Sequence, residues 1–163
     1  MLVKMYKSYI PTVSEVYHQI GSIVILSQIC DIATKYGLDS LAGVTKQEMD
    51  WRKDPKTQYT IDKVSMCKIL QKDPSKIAAL EELFACAAEY HLNLLALCTQ
   101  TALVSLGHRD TAKKLFKKEF EKDVAFIFSE FGRELLVNLY RNSSDSLLDV
   151  ENCAFRRFFA EQA

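Results

Sequence analysis

The segment YHLNLLALCTQTALVSLG, residues 90–107, decides the fold class of this chain. It contains no Asp, Glu, Lys or Arg, and apolar residues would occupy every side of the helix that it forms. His91, Asn93 and Gln100 are among the polar residues that interrupt it, and at this length they argue against a membrane span. We therefore expect a buried helix that is surrounded by other helices and no transmembrane segment.

The apolar pattern continues upstream of this segment, so one helix could run from Pro74 to Leu106. At 1.5 Å per residue such a helix would extend about 50 Å, which is too long for a domain of this size. The sequence therefore predicts a break or a bend within it. We also expect His91 to face the core and to be hydrogen-bonded there, because it falls on the apolar strip of the helix. That strip consists of Leu80, Phe84, Ala87, His91, Leu94, Cys98 and Thr101.

The N-terminal part of the chain carries a strong helix start signal. Thr12 and Glu15 have the spacing of a capping box, and apolar residues then recur near a 3.6-residue period until Gly37. We therefore expect a first helix over residues 13–36. A second possible capping box, Thr45 to Glu48, predicts a short helix that starts there.

Signals in the rest of the chain complete a helical pattern. Residues 52–59, RKDPKTQY, are polar, include a proline and lack an apolar period, which predicts an exposed loop. Helices are predicted after Thr60, after Asp110 and over residues 146–161, and neither a strand pattern nor an internal repeat is evident. The sequence thus predicts an all-α bundle of five to seven helices around a central apolar helix, as one domain over all 163 residues.

The net charge and the cysteine content indicate which classes of protein and which cellular compartment fit this chain. Lys and Arg together number 21, equal to Asp and Glu, and this zero net charge argues against a dedicated nucleic-acid binder. The first ten residues lack the apolar run of a secretory signal peptide. The odd number of cysteines, without a Cys-x-x-Cys pair, predicts reduced thiols and a cytoplasmic location. The five are Cys30, Cys67, Cys86, Cys98 and Cys153.

Two weak signals point to a metal-dependent enzyme as an alternative. Glu15 and His18 lie three residues apart on one helix face, as in carboxylate di-iron bundles, yet the chain has no second Glu-x-x-His motif. His91 and Cys98 are seven residues apart, about 10 Å along a helix, which is too far for direct contact. No catalytic motif supports either signal, so the sequence favours a non-enzymatic role without a metal or cofactor. A bundle that binds an apolar small ligand is a third alternative.

A basic face is predicted on the helix that follows Asp110. Lys113 and Lys117, and likewise Lys114 and Lys118, are like-charge pairs one turn apart, which destabilise a helix mildly unless an acidic group lies opposite. The simplest interpretation is a solvated helix face with interleaved acidic residues. The functional interpretation is a contact surface for an acidic protein partner or for anionic lipid headgroups.

Aromatic residues accumulate in the C-terminal part of the chain. Eight of the nine phenylalanines occur at or after Phe116. A single helix face cannot bury all of these side chains. Aromatic residues and Arg are enriched at the centres of protein interfaces. The alternatives are that this tail docks onto its own bundle or onto a second copy of the chain. We predict a small interaction module, an adaptor or accessory subunit, that binds a protein partner. The predicted contact residues are Lys113, Lys114, Lys117, Lys118, Phe155, Arg156, Phe158 and Phe159.

Overall fold

The computed structural model describes residues 10–72, 76–120 and 129–139, and this part of the chain is all-α, as predicted. It contains eight helices and no strand beyond one isolated bridge between Thr12 and Ser65. Each of these described helices is too short or too polar to cross a lipid bilayer. The helices are α1 Val13–His18, α2 Ile23–Lys35, α3 Asp39–Lys53, α4 Met66–Leu70, α5 Ile77–Glu89, α6 Asn93–Ser105, α7 Arg109–Phe120 and α8 Glu130–Leu139.

Helix α6 is the central helix that its apolar sequence predicts. It contacts α1, α4, α5, α7 and α8. Thr99 is completely buried in it, and its hydroxyl donates a hydrogen bond to the Leu95 carbonyl oxygen at 3.0 Å. A polar side chain is therefore accommodated at the centre of the bundle without an unpaired hydroxyl. The buried residues of α6 are Leu95, Ala96, Leu97, Cys98, Thr99, Gln100, Ala102 and Leu103.

The predicted first helix is divided into α1 and α2. The capping box at its start is present, since the Glu15 backbone N–H donates to the Thr12 hydroxyl at 3.1 Å. The helix then ends at His18, and Ser22 starts a new one by accepting a hydrogen bond from the Val24 N–H at 3.1 Å. The prediction of one continuous helix over residues 13–36 is therefore wrong.

Two predicted helix starts are also displaced. Thr45 lies in the middle of α3, where its hydroxyl donates to the Leu41 carbonyl oxygen at 2.7 Å instead of capping a helix. Helix α4 is capped by Ser65, whereas Thr60 accepts a side-chain hydrogen bond from Gln47. These residues are hydrogen-bonding partners within the tertiary structure, and the local sequence pattern did not distinguish that role from capping.

Three of the interhelical turns share one hydrogen-bond pattern. In each, a residue with positive φ ends the helix, and the next residue donates its N–H back to a carbonyl in the last helical turn. This Schellman arrangement turns the chain sharply and places the following helix beside the previous one. The positive-φ residues are Gly37 at 69°, His91 at 55° and Gly107 at 87°. The returning bonds, each 2.8 Å long, join Leu38 to Ala33, Leu92 to Ala87 and His108 to Leu103.

The position of His91 in the structure confirms one sequence-based prediction and shows that another is wrong. The expected break in the long helix over residues 74–106 is present, and His91 lies in the turn that makes it. The side chain of His91 is exposed, so the prediction of a core histidine is wrong. Periodicity placed it on the apolar strip only because the helix was taken as continuous.

The hairpin of α2 and α3 is repeated by α5 and α6 at an offset of 54 residues. Both ends of α2 correspond to the ends of α5, and every buried residue of α2 has a buried counterpart in α5. The expected absence of an internal repeat is therefore wrong, because the identical positions are separated by positions that differ, and only some of the identical positions are buried in both hairpins. The identical pairs are Ile23/Ile77, Leu26/Leu80, Ala33/Ala87, Tyr36/Tyr90, Leu38/Leu92, Leu41/Leu95, Ala42/Ala96 and Thr45/Thr99.

Replacing His91 with Gly is expected to raise the free energy of unfolding by about 0.5–1 kcal/mol. Glycine adopts a left-handed backbone without the steric cost that a Cβ atom imposes there, although it also gains freedom in the unfolded chain. Urea denaturation followed by circular dichroism measures the change. As a matched control, Glu89→Gly in the last turn of α5 should lower the free energy of unfolding by about 1 kcal/mol. A less stable His91→Gly variant would contradict the expectation.

Candidate functional site

Helix α7 carries the basic face predicted from the sequence. Its apolar side, formed by Ala112, Leu115 and Phe116, is buried in the bundle, where α7 contacts α5, α6 and α8. Lys114 and Lys118 are exposed. The helix is therefore amphipathic, with a buried apolar side and a positively charged outer side. We call Lys113, Lys114, Lys117 and Lys118 the basic face.

The basic face borders a surface hollow with a volume of about 240 Å³. Three lysines and Asp110 line this hollow. Asp110 belongs to the first turn of α7, where a carboxylate interacts favourably with the positive end of the helix dipole. The chain as a whole has zero net charge, so the lysines concentrate positive charge at one place, which acidic residues elsewhere in the chain balance.

The second predicted contact surface lies outside the described residues, as does the helix predicted over residues 146–161. It therefore stays a prediction. Its members are Phe155, Arg156, Phe158 and Phe159.

The residues considered for a metal-dependent enzyme lie at different places in the structure. Glu15 accepts hydrogen bonds from the backbone and side chain of Thr12. His18 is exposed at the end of α1, and His91 is exposed in the turn between α5 and α6. Within the described ranges, no group of three or more His, Cys, Asp and Glu side chains could hold a metal ion.

A larger pocket, of about 430 Å³, lies beside α1, α3 and the segment that follows α3. Helix α3 continues to Lys53, so the loop predicted over residues 52–59 begins at Asp54, and Tyr59 at its end is only partly exposed. The pocket has a mixed polar and aromatic lining, and of its residues only His18 was considered as a functional residue from the sequence. The lining includes His18, Glu48, Trp51, Arg52, Tyr59 and Asp62.

A buried carboxylate organises the wall of this pocket. Glu48 is 3% exposed, and its two oxygens accept hydrogen bonds from the Arg52 Nε at 2.6 Å and the Tyr59 hydroxyl at 2.5 Å. Arg52 also donates through Nη2 to the Tyr17 carbonyl oxygen at 2.7 Å. Burial and the bond to Glu48 raise the pKa of Tyr59, so its phenol stays protonated as a donor at neutral pH.

A second polar contact holds α1 against α3 behind the pocket. The hydroxyls of Tyr17 and Thr45 lie 2.5 Å apart, and Thr45 already donates its only proton to Leu41. Tyr17 is therefore the donor in this pair, and burial raises the pKa of its phenol. The buried polar groups of the wall satisfy one another, which is typical of a network that stabilises a fold.

Trp51 and Tyr59 form the aromatic edge of the pocket. Their ring centroids lie 4.8 Å apart with a tilt of 45°, and Trp51 is 36% exposed. One signal for this region was present in the sequence, because Glu48 and Arg52 are an oppositely charged pair four residues apart. The capping-box interpretation of Thr45 and Glu48 concealed it.

No protein-family model, curated protein or solved structure matches this chain. A functional assignment therefore depends on the two surfaces described above. The pocket beside Glu48 has a wall of groups that are hydrogen-bonded to one another, whereas the basic face places the exposed Lys114 and Lys118 on the outer side of α7.

Proposed function

We propose that this protein is a helical interaction module, an adaptor or accessory subunit, that binds an acidic segment of a protein partner through the basic face. The observation that carries the proposal is the amphipathic helix α7, which buries its apolar side and surrounds a hollow with lysines. A cytoplasmic location is part of the proposal, supported by the free cysteines at positions 30, 67, 86 and 98.

Electrostatics explains why an acidic partner fits this surface. The lysine pairs at positions 113/117 and 114/118 each place like charges one helical turn apart, which costs a few tenths of a kcal/mol per pair in an isolated helix. Glutamate or aspartate side chains of a partner would relieve that repulsion between the exposed Lys114 and Lys118. Complementary charge of this kind accelerates association and is screened by salt.

Reversing the charge of the exposed lysines is expected to weaken binding of an acidic peptide about tenfold or more. The probe is a fluorescein-labelled peptide rich in Glu and Asp, and the variant is Lys114→Glu/Lys118→Glu. Fluorescence anisotropy gives the dissociation constant at about 50 mM and about 200 mM salt, and wild-type binding should weaken as salt increases. The matched control, Lys46→Glu/Lys53→Glu, makes the same charge change at exposed positions of α3.

Three outcomes would contradict the proposal. Equal losses in the two variants would mean that net charge and not the basic face determines binding. Equal affinity for a peptide in which Gln replaces every Glu and Asn replaces every Asp would exclude charge recognition. Binding to vesicles that contain phosphatidylserine, together with no binding to the peptide, would assign the face to a membrane surface.

A further inference from the structure

Two cysteine thiols meet where α4 packs against α6. Cys67 lies in α4 and Cys98 in α6, two helices in contact, and the two thiols lie close enough to interact. Neither cysteine is in a disulfide. Neighbouring thiols on two different helices can form a disulfide that would join those helices covalently.

The backbone around Cys67 is fixed on both sides. The preceding residue, Met66, is completely buried, and its N–H donates to the Pro11 carbonyl oxygen at 3.1 Å. Ile69 and Leu70, on the other side, are buried in the same core as α6. The contact between the thiols therefore belongs to a packed interface and does not depend on a loose segment of chain.

The two thiols differ in exposure and in acidity. Cys98 is completely buried, whereas Cys67 is half-buried. The interaction with Cys98 lowers the pKa of Cys67, while the same interaction and burial raise the pKa of Cys98. An oxidant that arrives from solvent thus meets Cys67 first, with Cys98 positioned to react next.

We propose that Cys67 and Cys98 form a redox-active dithiol that hydroperoxides convert reversibly into a disulfide between α4 and α6. In the first step the Cys67 thiolate attacks one peroxide oxygen, an S–O bond forms, the O–O bond breaks, and the leaving hydroxide takes up a proton to become water. In the second step the Cys98 sulfur attacks the Cys67 sulfur. The S–S bond forms, the S–O bond breaks, and the hydroxide leaves as water with the Cys98 proton. Overall, two thiols and one hydrogen peroxide give one disulfide and two waters.

The experiment treats the full chain with hydrogen peroxide, blocks free thiols with N-ethylmaleimide and determines the mass and the linked peptides. We expect the treated chain to carry two fewer N-ethylmaleimide groups than the untreated chain and to have lost two hydrogens, about 2 Da, through a linkage between Cys67 and Cys98 that dithiothreitol reverses. Without oxidant, iodoacetamide should modify Cys67 about tenfold faster than Cys86, because burial raises the pKa of Cys86.

Single variants separate the two steps. Cys98→Ala removes the second thiol, so Cys67 should accumulate as a sulfenic acid that dimedone traps. Cys67→Ala should give neither the sulfenic acid at that position nor the disulfide, whereas the control Cys86→Ala should form the disulfide as the wild type does. Circular dichroism checks that each variant is folded.

Either of two results would overturn the proposal. One is a peroxide-induced linkage in the wild type that joins cysteines other than 67 and 98. The other is a wild-type protein in which both thiols remain free after Cys86 has been oxidised. Both results are read from the wild-type chain, so a variant that fails to fold does not affect the test.

Discussion

Replacing Glu48 with Ala is expected to lower the free energy of unfolding by about 3–5 kcal/mol. Glu48 is buried and accepts hydrogen bonds from Arg52 and Tyr59, so its removal leaves a partly buried guanidinium and a phenol without their acceptor. The expected loss is a large share of the stability of a domain of this size. Urea denaturation, followed by circular dichroism, measures it.

Two variants show whether the loss comes from the network. Tyr59→Phe removes only the hydrogen bond to the carboxylate and should cost about 1.5–3 kcal/mol. Asp50→Ala removes an exposed carboxylate from the same helix and should change stability by about 0.5 kcal/mol or less. If Glu48→Ala lost no more than Asp50→Ala, the network around the pocket would not stabilise the fold.

Replacing Asn138 with Ala is expected to cost about 2–3 kcal/mol. Asn138 is buried in α8, and its amide donates to the Gln100 Oε1 at 2.8 Å and to the Thr101 hydroxyl at 3.1 Å. Within the described part of the chain, the Gln100 Nε2 is already buried without a partner. Removing Asn138 would leave both ends of the Gln100 amide unpaired, in addition to a small cavity. Thermal and urea denaturation give the loss.

An apolar replacement of both partners tests this account. Asn138→Leu alone fills the space but still leaves the Gln100 oxygen unpaired, so it should remain destabilised. Adding Gln100→Leu removes the unpaired amide as well and should recover most of the lost stability. The double variant could instead lose more free energy of unfolding than the two single variants lose together. That result would show that the side chains fit the space by shape and that their hydrogen bond contributes little.

The features that the sequence predicted correctly depend on residues that are close to one another within a single helix. The apolar character of α6, the capping box at Thr12 and the basic face each follow from residue type and helical spacing alone. Because an amphipathic helix buries its apolar stripe wherever it packs, the outer position of Lys114 and Lys118 required no knowledge of the partner helices.

The features that were missed depend on helix packing. Glu48 meets Tyr59 and Asn138 meets Gln100 across 11 and 38 residues of chain, and the Cys67–Cys98 contact likewise joins two helices. Helix periodicity shows that such residues face inward but does not give the residue they face. For His91 a signal did exist, since Tyr90, His91 and Leu92 repeat the pattern of Tyr36, Gly37 and Leu38.

The Schellman turns also bear on how quickly the chain finds its structure. Each turn joins two helices in contact through only a few residues, so the contacts within a hairpin connect positions that are close along the chain. The entropy lost when such short loops close is small, and topologies rich in local contacts fold fast. The two related hairpins are therefore expected to form early and separately, whereas α8, whose partner Gln100 is distant in sequence, joins them late.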